Sequence, residues 1–150
     1  MGVLNHLIAP RRAPRVRKGT AVRGSLGLLL TAQVERLGLT PGALPADGPT
    51  GSAWSRAYVL GAACASLQQQ AAAPVSDTEC FEIAIAAFAL TYGETDARAI
   101  LSATIAAAEA HEPEVEDGLL QGASDLALVA SGEDAAGLHF ATRNVEELAG

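Results

Sequence analysis

The sequence predicts an all-α protein: a compact helical bundle of about five helices, with a basic N-terminal arm and a first helix that a linker leaves free to detach. Three observations carry this. Alanine, the strongest helix former, is abundant throughout, while aromatics make up only 4% of the 150 residues. Strand-type runs of Val, Ile and Thr are nearly absent. Apolar residues instead recur at helical spacing between caps, prolines and glycines. The length suits one domain with a real core.

Residues 1–19 hold Pro10 and Pro14 and show no sustained period, so they read as a flexible arm. A first helix is expected over 20–38. Thr20 is its N-cap, Gly38 lies just past its end, and Leu26, Leu29, Leu30, Val34 and Leu37 form one face. Residues 39–52 contain three prolines and three glycines between Leu39 and Gly51, a composition that cannot continue a helix. They read as a linker, and residues 53–150 as the bundle itself.

Ser52 caps a second helix reaching about Ala72, with Trp54, Tyr58, Gly61, Ala62, Ala65 and Gln69 on one side. Ser76 and Glu79 then make a capping-box pattern, each placed to satisfy an amide at the start of a third helix. That helix runs to Tyr92. Its main stripe is Phe81, Ile85, Phe88, Ala89 and Tyr92, and a second apolar stripe leaves it almost no polar face. A helix greasy on all sides must be wrapped by others, so it is expected at the centre of the bundle. Gly93 breaks the chain and Thr95 starts a fourth helix, packed back as a hairpin, with Ile100, Leu101, Ile105 and Ala108 inward. Pro113 suits the first turn of a fifth helix, whose buried line is Val115, Leu119, Ala123, Leu126, Ala127 and Ala130. A last helix is expected from Glu133 to Leu148.

Charge is unevenly distributed. Residues 1–23 carry Arg11, Arg12, Arg15, Arg17, Lys18 and Arg23 with no acid. The remainder has a formal charge of −13, from four arginines against all seventeen acids. The body should repel nucleic acid, whereas the arm could meet a polyanion or an anionic membrane through residues 11–23. No apolar stretch is long enough to span a bilayer, and no signal peptide is visible, so a cytoplasmic location is expected.

No catalytic constellation is visible. His6, His111 and His139 are far apart, and neither an H-E-x-x-H pattern nor a G-x-S-x-G elbow occurs. The glycine pairs at Gly24/Gly27 and Gly48/Gly51 lack the Lys and Ser/Thr of a phosphate loop. Cys64 and Cys80 are not in C-x-x-C spacing. They read first as buried free thiols and second as a disulfide or a reactive pair. Neither a cofactor nor a metal site is expected. The acids that come nearest to one are Asp77, Glu79, Glu112, Glu114 and Glu116, and acids at a helix start are sufficiently explained by the helix dipole.

One resemblance rests on residues 57–130. A helix ending near Ala71 is followed by Val75, Ser76, Asp77, Thr78 and Glu79 opening a second. A short turn follows at Tyr92, Gly93, Glu94 and Thr95, then an acidic turn over Glu112–Glu116. This pattern resembles the tellurite-resistance TerB-like helical domain. The resemblance implies an all-α fold, a stress-response or scaffold role and an acidic cation site including Asp77 and Glu79. The Asp that the family carries before this opening is missing, since Ala72, Ala73 and Pro74 stand there. The residues themselves point to a non-catalytic interaction, scaffold or accessory protein. Its partner is another protein or a second copy, met through Leu26, Leu29, Leu30, Val34, Leu37, Trp54 and Tyr58. The alternatives are a nucleic-acid or membrane accessory protein acting through its arm, and a divalent-metal-binding TerB-like protein.

Overall fold

The computed structural model describes residues 24–70 and 74–149; among these the regular structure is helical, with no strand. In chain order the helices are α1 (Ser25–Arg36), α2 (Ala53–Gln70), α3 (Asp77–Tyr92), α4 (Glu94–Glu109), α5 (Pro113–Ala130) and α6 (His139–Ala149). A short 3-10 turn at Pro49–Gly51 precedes α2. The expected start of the first helix at Thr20 falls outside the described residues.

The centre of the bundle is α2, a correction to the expectation that the third helix occupies it. Every residue from Ala57 to Cys64 is buried, and α2 touches α1, α3, α4, α5 and the 3-10 turn. The reason is side-chain size. The middle of α2 is built from Ala, Gly and Cys with a few larger residues, so neighbours can close on it from all sides. By contrast α3 is fully covered on one side and only partly on the other. Cys80, Ile83, Ala84, Ala87, Phe88, Thr91 and Tyr92 are buried, while Phe81, Ile85, Ala89 and Leu90 are half-buried. The Arg98 guanidinium lies over the Phe81 ring, 5.6 Å from its centroid, and shields it in part.

The tightest contact is between α2 and α5. A methyl group added at Gly61 would run into the Leu119 carbonyl, one at Gly118 into the Trp54 carbonyl, and one at Gly122 into the Tyr58 carbonyl. Three glycines on two helices thus let the backbones meet directly, where any larger residue would hold them apart. The inward line of α5 is consequently Val115, Gly118, Leu119, Gly122, Asp125, Leu126 and Val129. Ala127 and Ala130, expected inside, are exposed and Ala123 is half-buried.

The first helix is not detached. Leu26, Leu29, Leu30 and Val34 are buried in the same core cluster as the rest, and α1 packs on α2, α3, α5 and α6. The Pro/Gly-rich segment is also anchored. The Leu44 amide donates to the Thr91 carbonyl at 3.0 Å, and the Tyr92 hydroxyl donates to the Thr50 carbonyl at 2.6 Å. It therefore folds over the C-terminal end of α3.

At the other end of α3 the capping box forms as the sequence predicts: Ser76 accepts from the Glu79 amide, and Glu79 accepts from the Ser76 amide. Gly93, at φ 97°, reverses the chain between α3 and α4 in a conformation that side chains disfavour. The last helix starts at His139, six residues later than the expected Glu133. Asp134 accepts from the Ala136 amide in a local turn, and Leu138 closes on the Ala135 carbonyl, so this stretch spends its amides outside a helix.

Gly122→Ala is expected to destabilise the protein by about 3 kcal/mol, because two backbones must separate. Gly137, which has open space around it, should change by no more than about 0.5 kcal/mol when made Ala. Urea denaturation of both variants checks this; equal effects would contradict the close approach.

Candidate functional site

The chemistry-bearing side chains converge where α1, α2, α5 and α6 meet. Gln33 follows Leu29 and Leu30 on the inward face of α1 and is wholly buried. Its amide donates to the Leu29 carbonyl at 3.3 Å and to the Tyr58 hydroxyl at 3.0 Å. Its carbonyl oxygen accepts from the Ala141 amide at 2.8 Å. Tyr58 donates in turn to Asp125 Oδ2 at 2.6 Å. Asp125 also accepts from the His139 amide at 3.0 Å, from Gln121 at 3.1 Å, and faces His139 Nδ1 at 2.9 Å.

The network has a structural logic. His139 and Ala141 lie in the first turn of α6, where amides have no partner within the helix. Asp125 on α5 and Gln33 on α1 supply the acceptors, so the helix is capped by side chains from two other helices. A carboxylate at that end also meets the positive end of the α6 dipole. Burial first, and then the Asp125 hydrogen bond, push the Tyr58 phenol well above the usual tyrosine range. Tyr92 moves the same way through burial.

Chemically, Asp125 and His139 have the arrangement of a base with its orienting carboxylate. Half of the imidazole is open to solvent, at 54% side-chain exposure, while the carboxylate is fully enclosed. The acceptor capacity of Asp125 is occupied by Tyr58, Gln121 and the backbone, so it holds the imidazole in place as one of several duties. A second polar group seals the neighbouring edge. Trp54 donates its indole N–H to Asp117 at 2.7 Å, and the Arg143 guanidinium sits 4.5 Å above the Trp54 ring. Arg143 also reaches Glu114 and Glu147, each at 3.5 Å.

The residues expected to form an interaction face lie elsewhere in the fold. Leu26, Leu29, Leu30 and Val34 are core, Leu37 is half-buried against it, and Trp54 and Tyr58 are buried at 2% and 0% exposure. Their hydrophobicity is satisfied within the chain. Arg11, Arg12, Arg15, Arg17, Lys18 and Arg23 lie outside the described residues. Asp77 and Glu79 begin α3, far along the chain from the acidic turn at α5. There Glu112 is exposed, Glu114 faces Arg143, and Glu116 pairs with His111 at 2.8 Å. Among the described residues no group of three or more His, Cys, Asp or Glu is gathered to hold a metal ion.

Gln33, Asp125 and Gln121 were not singled out by the sequence. The one available signal was a polar residue on an inward apolar line, which Gln33 and Asp125 both show. Comparison with protein-family models, curated proteins and solved structures finds no match to this chain.

Asp125→Ala leaves the buried Tyr58 hydroxyl and the His139 amide without acceptors and should cost about 3 kcal/mol. His139→Ala removes a half-exposed, solvent-screened partner and should cost at most about 1 kcal/mol. Thermal and urea unfolding of the two variants will show whether the carboxylate is the dominant member.

The raised phenols also set a pH dependence. The folded state keeps both tyrosines neutral where the unfolded chain, with an ordinary value near ~10, ionises. The stability they contribute is therefore complete below pH ~10 and is lost as pH rises toward their folded values. Absorbance at tyrosinate wavelengths should stay flat until unfolding and then report both tyrosines together; gradual ionisation of folded protein would contradict this.

Proposed function

We propose that this protein is a non-catalytic helical interaction protein that meets its partner through the outward face of α5. The observation that supports this is where apolar and polar groups lie. Gln33, Tyr58 and Asp125 are buried and hydrogen-bonded to one another, with His139 half-exposed at their edge, whereas Leu120 and Leu128 stand on the outer side of α5 at 68% and 38% exposure. They are eight positions apart with Ser124 and Ala127 between them, all exposed and on one side of the helix. Exposed leucines aligned in this way are the ordinary anchor of a helix-to-helix contact. Among the described residues no helix is long and apolar enough to cross a membrane.

A second reading is favoured by the charge segregation. Six basic groups in residues 1–23 against a body of −13 suit a partner that is anionic, a nucleic acid or an acidic lipid surface. The two readings part in one experiment. Size exclusion with light scattering is run on the full chain and on a Leu120→Lys/Leu128→Lys variant, alongside a survey of retained partners at two salt concentrations. The face reading expects association, or partner retention, that the double variant abolishes without loss of helicity or thermal stability. Retention that survives the double variant but fades with salt, and disappears when Arg11, Arg12, Arg15 and Arg17 become Ala, points to the arm. A monomer with the same partners in every variant sinks the α5 reading.

A further inference from the structure

The two cysteines of the chain take no part in the polar network or in the α5 face. Cys64 lies in the second half of α2 and Cys80 in the first turns of α3. Both are fully buried, and Cys80 donates its S–H to Cys64 Sγ at 3.4 Å. A disulfide places its sulfurs about 2.05 Å apart, so closing the bond asks for an approach of about 1.4 Å, within reach of side-chain torsion and a small shift of one helix end.

The surroundings decide when the pair can react. The hydrogen bond between the two thiols, and after it burial, raises Cys64 well above its ordinary range, so the closed structure holds it as an unreactive thiol. Reaction therefore waits for opening at the start of α3. There Ser76 and Thr78 are exposed and Asp77 and Glu79 half-buried, with Cys80 the first residue turned fully inward. Helix ends open at lower cost than helix centres.

We propose that Cys64 and Cys80 form a reversible dithiol–disulfide couple, oxidised by peroxide, that locks the start of α3 to α2. One thiolate attacks the peroxide O–O bond, which breaks to give a sulfenic acid and a hydroxide that takes up a proton. The second sulfur then attacks the sulfenic sulfur, the S–S bond forms, and the second oxygen leaves as water. Two thiols and one peroxide become one disulfide and two waters; the sulfurs are oxidised and the peroxide is reduced. A small dithiol reverses the step, becoming a disulfide itself. The bond spans 16 positions of sequence and restricts the unfolded chain, so the oxidised form is the more stable one.

The test uses the full chain, reduced, freed of reductant and treated with hydrogen peroxide under native conditions. The peptides carrying residues 64 and 80 should be recovered cross-linked, lighter by about 2 Da than their sum. No thiol should remain titratable in denaturant, and the chain should stay a single polypeptide on a non-reducing gel. Tm should rise by roughly 6–10 °C, and dithiothreitol should undo every change. Cys80→Ser should show oxygen addition at Cys64 and no rise in Tm. Should that variant fail to fold, the peptide map of the wild-type protein decides alone. Oxygen addition without cross-linking, disulfides only between chains, unreacted thiols, cross-linking only after unfolding in urea, or a Tm that does not rise would each overturn the proposal.

Discussion

Where Gly61, Gly118 and Gly122 bring α2 and α5 backbone to backbone, the spacing of the whole bundle is decided. Two helices in direct contact leave the remaining surface of α2 open to the neighbours that cover it, and α2 consequently meets α1, α3 and α4 as well. Small residues achieve this because dispersion attraction falls steeply with separation, so a gap of even a methyl group forfeits much of the contact. The arrangement also explains how a protein with so few aromatics can hold a core. Half of its six rings lie beside this seam, where Trp54, Tyr58 and Phe140 follow one another with centroids 5.4 Å apart; the other three are on α3.

The buried polar chain from Gln33 through Tyr58 to Asp125 lies beside that seam and gives the packing its register. Apolar surfaces alone tolerate sliding, whereas each of these groups is costly to bury unpaired. A one-residue shift of α1 would strand Gln33 and the Ala141 amide, and one of α6 would strand the His139 and Ala141 amides together. Specification of one arrangement is thus divided between small residues that set distance and hydrogen bonds that set phase. On the outside, Leu28, Leu120, Leu128, Val145 and Leu148 are exposed among acidic and polar residues.

Helix content was legible in the sequence because it is written locally. The Ser76/Glu79 box, Gly93 and Pro113 each act within a few residues, and each sits where the helices begin or end. Both ends of α3 and the start of α4 fell within a residue of expectation for that reason. Which helix is central was less legible, because hydrophobicity pointed to Phe81–Tyr92 while closeness of approach favours the smaller side chains of α2. The late start of α6 was only partly legible: the turn at Asp134 is local, whereas the caps come from Asp125 and Gln33, one of them more than a hundred positions away. The same distance hid the candidate site: a lone glutamine on an apolar face reveals its partners only once the helices are assembled. Leu26, Leu29, Leu30 and Val34, expected as a surface for others, turned out to be consumed by the chain's own core, because the Pro/Gly segment folds back over α3 and holds α1 in place.

The borrowed caps of α6 have a kinetic meaning. A helix whose first-turn amides depend on acceptors from α1 and α5 gains little from forming before those two are docked. Order at the start of α6 therefore reports the docking of α1 and α5, and only of those two.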